Sequence, residues 1–555
     1  MQSLALAIGW EFRKRHSWPL IAMGVYLLGV AVFRLTLYMP GEPITVVPPD
    51  GRAAVVIAPL AWTIVYYLAV FSFGFSADLA ARQSIYPARL FTLPVRTECL
   101  VLAPMLHGMV AVAILVQAAT VLARWPWGIE TPLVWPALLA AVFLAWTQAL
   151  AWMPYGLRGV RVVVTVVWLI TLDAIVLLAM HFSVSEPVML AFLVPQLPLA
   201  YLTACYAVAR ARRGDVPDWR PRFMRTPAEA GAIGAVAAGA VSAPLNRADF
   251  SSPARAQLWF EWRRHGRTLP ALVAMVLPFE LALFWIARDA PGLLLELLVL
   301  ALITPPLLAL FTATSVSKAN PDARDSHAMS PFIATRPLSS ADLVAAKLEM
   351  AARSTLATWL LVIVAVPLAL QWSGTWPMVE HRAIRFAEIV SVPHAIVFGL
   401  LVLATLMVST WKQLVQSLYI GLSGREWIAR SVLVAALVFI TVIGPVVQFV
   451  VDHDSARAVL WNSLPAILAA LVACKMLAAG WVAARLARSG LLRDRTLARG
   501  AAGWTATVFV LYGVLAWLVS GPLVPQFVLV LIAILLVPLA RVSAAPLALA
   551  WNRHR

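Results

Sequence analysis

The chain alternates apolar blocks of about 20 residues with short segments that carry nearly all of its charge, and about 20 residues span the hydrocarbon core of a bilayer. Inside lipid a backbone must satisfy its own hydrogen bonds, so each block is predicted to be a transmembrane helix. The blocks fall near 18–38, 54–76, 98–122, 132–152, 159–180 and 187–209 and, after a long polar stretch, near 269–287, 292–315, 343–371, 392–411, 429–450, 461–485, 503–520 and 523–541. The expected class is an all-α polytopic membrane protein of fourteen helices. Composition argues against several soluble domains: 62% of the 555 residues are hydrophobic and 12% charged, against roughly 25% charged in soluble chains.

A net charge of +17 would suggest nucleic acid in a soluble protein. Here the 43 Lys and Arg lie almost wholly between the blocks and read as topology signals, so no nucleic-acid partner is expected. With the N-terminus inside, 35 of them fall on the inner side; Arg52, Arg124, Arg288, Arg382, Arg385 and Arg457 fall outside, and Arg34 and Lys475 lie within blocks. That bias predicts a multi-pass protein of the cell (inner) membrane with both termini cytoplasmic. The Ala- and Gly-rich stretch Ala228–Ala243 lacks the large apolar side chains that drive insertion, and a span there would move Arg255–Arg267 outside. It is expected to be a cytoplasmic linker. Leu4 to His16 precedes the first block with no small-residue cleavage site after it, so the first helix is expected to stay attached. Cys99, Cys205 and Cys474 are dispersed and imply no redox or metal chemistry.

Two devices occur twice. Before the first block the chain reads Trp10-Glu11-Phe12-Arg13-Lys14-Arg15-His16, and 250 residues later it reads Phe260-Glu261-Trp262-Arg263-Arg264-His265, again leading into a helix. Aromatics around a Glu, followed by a basic cluster, suit a short amphipathic elbow on the inner membrane face, beside the membrane lipids. After the second block of each half comes a proline corner. The first is Phe91-Thr92-Leu93-Pro94-Val95-Arg96-Thr97-Glu98, and the second is Arg336-Pro337-Leu338-Ser339-Ser340-Ala341-Asp342. Proline disfavours helix at the residue before it, and Thr97 or Ser340 is expected to cap the helix that follows. The duplication divides the chain into six-helix halves at 1–250 and 251–490, with an additional helix pair and basic tail at 491–555.

With elbows and corners in place, the chain resembles the permease subunits of ATP-binding-cassette exporters, specifically the type-2 permease family in a fused two-half form. That family has an elbow before the first helix and, after the second, a Leu-rich segment, Pro, a small apolar residue, Ser or Thr, a basic residue, an acid, Leu-Leu and Gly-Lys. The run from Pro337 to Lys347 matches that spacing through the terminal Lys; the first copy has Pro104 there, and no role is carried onto it. The resemblance implies that the corners contact two copies of an ATP-binding-cassette ATPase subunit. ATP and Mg would be held by those partners, and no cofactor by this chain.

No Lys follows a Gly, so a phosphate-binding GxxxxGK[ST] loop is absent and the chain is not expected to be an enzyme. The competing expectation is a proton- or ion-coupled secondary transporter that uses the intramembrane carboxylates Asp173, Glu280 and Glu296, near the level of Arg34. Their bland reading is pairing with Arg34 or Arg288, and Lys475 is expected to snorkel. A membrane glycosyltransferase is disfavoured, because the first outer loop is short and offers Glu42 and Asp50 alone. Asp452-His453-Asp454 is expected to be solvated, and His107 and His181 to be packing residues. Few intramembrane charges suit a lipophilic or amphipathic cargo.

Overall fold

A computed structural model of the protein describes residues 10–37 except 12 and 15; 63, 64, 67, 68 and 70–72; 82–124; 134–215 except 158, 182 and 183; 250–317 except 290; 338–425; 428, 431 and 435; 454–519; and 524–553. The described residues form helices and no strands. In the first half these are α1 (Ser17–Leu37), α2 (Thr97–Arg124), α3 (Trp135–Trp152), α4 (Val160–His181), α5 (Glu186–Leu193) and α6 (Gln196–Arg212). The second half holds α7 (Pro253–Glu261), α8 (Thr268–Ile286), α9 (Pro291–Ser317), α10 (Ser340–Trp372), α11 (Trp376–Val390), α12 (Val392–Val415), α13 (Leu418–Leu422) and α14 (Asp454–Arg488). It is followed by α15 (Asp494–Leu518), α16 (Gln526–Leu536), α17 (Ala540–Ser543) and α18 (Ala545–Arg553). Counting α5–α6, α7–α8 and α12–α13 as continuous, nine helices among the described residues are long and apolar enough to cross a membrane. Most of the blocks expected at 54–76 and 429–450, and all of Ala228–Ala243, lie outside the described residues.

The first half is held by α2, α3 and α6, whose facing alanines allow close approach: Ala145, Ala149, Ala200 and Ala204 are fully buried. Without a hydrophobic drive between helices in lipid, small residues at such seams let van der Waals packing do the work. The second half packs α8, α9, α10 and α12 around Trp359, whose Nε1 donates to Thr410 Oγ1 at 3.0 Å. Val162 of α4 belongs to that second core, so the halves meet along α4 and α8. Gly159, at φ +82, opens this contact, for a Cβ there would sit 2.8 Å from Leu272 Cδ2.

Three departures from the sequence expectations have local causes. The block at 523–541 is not one helix: α16 stops at Leu536 after 11 residues, a rise of about 16 Å and about half the hydrocarbon core. Pro538 forces Val537 out of the helical region (φ −72, ψ 115). The freed carbonyls are taken by Lys475 of α14, whose Nζ donates to the carbonyls of Ile534 at 2.6 Å, Leu535 at 3.1 Å and Val537 at 2.5 Å. Lys475 therefore ties two helices together instead of snorkelling, placing a cation at the negative end of α16.

Next, α14, expected as the sixth helix of the second half, packs chiefly on α16 and α17, while α18 packs into the second half on α13 and α10. The basic tail is thus a helix with Ala545, Leu547, Ala548, Leu549 and Asn552 buried. Finally, 376–390 forms the amphipathic helix α11 where a loop was expected, with no residue buried.

Candidate functional site

The first proline corner packs beside the segment before α1, and residues 338–342, which follow the second proline, open α10, the helix that joins the segment before α8. In the first corner, a 3₁₀ turn at Ala88–Thr92 ends in extended Leu93, and Val95 N–H donates to the Leu93 carbonyl at 2.8 Å before α2 starts at Thr97. The turn rests on Tyr86, which stacks on Phe91 at 5.4 Å, meets Trp152 edge-on at 5.1 Å and donates its hydroxyl to the Leu100 carbonyl at 2.8 Å. Arg212, at the end of α6, reaches back to donate to the carbonyls of Leu93 and Val95, both at 2.8 Å. These contacts leave Thr92, Pro94, Arg96 and Glu98 exposed, with Phe91, Leu93, Val95 and Thr97 half-buried between them.

Behind the corner, buried Arg161 of α4 donates to the carbonyls of Gln83 at 2.5 Å and Met153 at 3.2 Å. Tyr155 N–H donates to the Arg82 carbonyl at 2.9 Å. Burial pushes the Tyr155 phenol up to about 12, the Arg161 guanidinium pulling the other way. From the segment before α1, Glu11 accepts from Arg89 of the 3₁₀ turn at 2.5 Å. Beside it Trp10 is exposed under Lys14 Nζ at 4.8 Å, and Arg13 is exposed.

After residue 250 a different set of contacts joins the segment before α8 to the start of α10. α7 is capped by Ser252, whose Oγ accepts from Arg255 N–H, and it passes into α8 through a π turn at Trp262–Gly266. The segment expected as an elbow is therefore a short helix joined to α8 without a loop. Gly266 permits this because a Cβ would lie 2.4 Å from the Trp262 ring. Glu261, at the end of α7, is buried; it accepts from Gln257 Nε2 at 3.0 Å and from Lys347 Nζ at 3.1 Å. Lys347 also donates to the Val316 carbonyl at 2.9 Å, and the side chains of the pair are 10% and 4% exposed. Lys347 thus closes a three-way joint between α7, α9 and α10. Arg263 lies exposed over Trp259 at 5.2 Å, giving the outer surface of the segment its aromatic and basic character.

At the second corner Ser339, not Ser340, caps α10. Its Oγ accepts from Asp342 N–H at 3.1 Å and lies 2.7 Å from the Asp342 carboxylate. A cap must reach the N–H three residues on, and Ser340 is already the buried first residue of the helix. The Leu338 carbonyl accepts from Arg553 Nη1 of α18 at 2.7 Å. An arginine at a remote helix end thus reaches the backbone at residues 93 and 95 and again at 338, and a glutamate before α1 and another before α8 each bind a cation.

Phe12, Arg336, Pro337 and the side chain of Arg34 lie outside the described residues, as do Asp452, His453 and the side chain of His181. Asp173 and Glu296 are exposed and make no ion pair among the described residues. Glu280 of α8 accepts from Thr304 Oγ1 of α9 at 2.5 Å, while its Oε2 has no partner among the described residues. The three carboxylates neither bond to one another nor pair with Arg288, which donates to the Ser373 carbonyl at 2.8 Å. His107 Nδ1 lies 2.6 Å from the Ala103 carbonyl, and Asp454 pairs with Arg457 at 3.3 Å on the surface. Among the described residues no three of His, Cys, Asp and Glu are grouped to hold a metal.

Sequence reasoning missed Arg89, Arg161, Arg212 and Arg553. By charge alone each is an orientation signal, and nothing in a charge count distinguishes an arginine facing headgroups from one donating to backbone. No family model, no curated protein and no solved structure matches the chain.

Proposed function

We propose that the chain is the permease of an ATP-driven exporter, its corners receiving two separate ATPase subunits whose closure drives the two halves between inward- and outward-facing states. The observation that carries this is the construction of the corners. At the first corner an exposed turn is fixed by Arg212, which donates to the Leu93 and Val95 carbonyls, and by the Glu11–Arg89 pair; at the second, the described residues show Arg553 donating to the Leu338 carbonyl at the start of α10, whose base is joined to α7 by the buried Glu261–Lys347 pair. A turn that is exposed yet rigidly tied is what a docking partner needs to move helices rather than bend a loop. The exposed residues suit a partner with mixed charge: Arg96 and Glu98 at the first corner, Ser339 and Asp342 at the second. The cargo is expected to be lipophilic or amphipathic.

The test is co-purification of the full chain with the cassette ATPase encoded nearest its gene, followed by disulfide trapping from cysteines placed at Pro94 and Ser339. Trapping at both positions and ATPase activity that rises on complex formation are expected. An ATPase that neither binds nor traps overturns the proposal.

Ion-coupled secondary transport has one observation in its favour, the unpartnered Oε2 of Glu280. That carboxyl faces α9 through Thr304 and, among the described residues, bonds to no second carboxylate with which to relay a proton. Glu280→Gln with Asp173→Asn abolishing uptake driven by a proton gradient would restore it.

A further inference from the structure

At the end of the second half remote from its corner, α8 and α10 enclose an apolar cavity of about 580 Å³. It is lined by Pro278, Trp285, Ala365, Ala369, Trp372 and Ser373 among others. Each wall helix carries a proline there, Pro278 in the lining and Pro367 between the lining residues Ala365 and Leu368, and each removes an intrahelical hydrogen bond and crowds the preceding turn. The small side chains Ala282, Ala365 and Ala369 leave the space unfilled.

Its surroundings are as apolar as its walls. Phe279, Leu368 and Trp372 are all exposed, Trp372 to 83%, so the cavity opens onto an apolar outer surface of the kind that suits lipid.

One cation sits at its rim. Arg288 stacks on Trp285 at 4.2 Å and donates Nε to the Ser373 carbonyl at 2.8 Å; both residues line the cavity. These contacts fix the guanidinium plane, and its side chain remains exposed. A held, exposed guanidinium beside two tryptophans at the end of a membrane helix is suited to a phosphate oxygen at headgroup depth.

We propose that this cavity is a binding site for an anionic phospholipid of the leaflet opposite the corners, an acyl chain lying between α8 and α10 and the phosphate on Arg288. The proposal does not depend on ATP coupling, and its test reads lipid binding alone. The full chain is placed in phosphatidylcholine nanodiscs doped with phosphatidylglycerol or phosphatidylcholine carrying a photoreactive acyl chain. Cross-linked peptides are then mapped by mass spectrometry.

Labelling of 278–285 and 365–373 roughly fivefold stronger from the anionic probe is expected, the scale of one basic residue near an anionic lipid. Arg288→Gln should bring the two probes to equality, and Ala369→Trp should remove labelling by both. Equal labelling of the unaltered chain by the two probes, or a preference that survives Arg288→Gln, overturns the proposal. Absence of labelling from either probe also overturns it, and would mean that protein fills the groove.

Discussion

Lys347→Met should be among the most damaging single substitutions available in the second half. The ammonium bonds Glu261 at 3.1 Å and the Val316 carbonyl at 2.9 Å, with both ionic side chains at or below 10% exposure, so water screens the pair little. Removing one member leaves the other as an uncompensated buried charge, a loss of about 3–5 kcal/mol. Glu261→Gln should cost a similar amount, because the remaining amide still accepts from Gln257 but no longer neutralises Lys347. The double variant buries no charge at all. Its cost should fall below the sum of the singles by about 2–3 kcal/mol, at the upper end of measured coupling between contacting residues. Pulse proteolysis of the purified chain in bicelles, over a denaturant series, measures all four species. Strictly additive losses, or singles costing under about 1 kcal/mol as exposed pairs do, would refute the buried joint.

Arg212→Ala and Arg553→Ala should each free one corner, raising amide exchange at 91–96 and at 338–342 respectively, with about 1.5–3 kcal/mol lost per charge-assisted bond. Exchange rising at both corners in either variant would contradict their independent clamping. Lys475→Met should detach α16 from α14 and lower the thermal midpoint, measured by intrinsic fluorescence, whereas a snorkelling lysine would tolerate the change. Gly159→Ala adds a Cβ 2.8 Å from Leu272 at φ +82 and should cost about 1–3 kcal/mol, read by the same proteolysis. In a difference titration against Tyr155→Phe, Tyr155 should ionise near 12 rather than 10. Its contribution to stability is then present below pH 10 and is lost as pH rises towards 12.

The fourteen apolar blocks predicted most of the observed boundaries to within a few residues. α8 begins at Thr268 against an expected 269, and α10 ends at Trp372 against 371. Proline punctuation divides spans that are continuous by hydropathy. Pro538 ends α16, and the 194–195 turn that includes Pro195 separates α5 from α6 inside what hydropathy presents as single spans. Amphipathic α11 was invisible to a search for continuously apolar segments, because its charges are confined to one face. At the corners the sequence supplied the residues but not the bonds. Glu261 and Lys347 were both singled out, for separate roles and 86 residues apart, and nothing local could show that they meet.

What the chain alone determined is its solvent and its local breaks. Transfer of apolar blocks into lipid and the geometry of proline are local physics, summed residue by residue, and they produce helices whatever the neighbours are. Tertiary structure decided which cations orient the chain and which bind protein: Arg212, Arg553, Lys347 and Lys475 each reach a backbone carbonyl distant in sequence. A carbonyl is present at every residue and so leaves no mark in a sequence. Its availability depends on where a helix ends and what packs beside that end, and both are properties of the assembled fold.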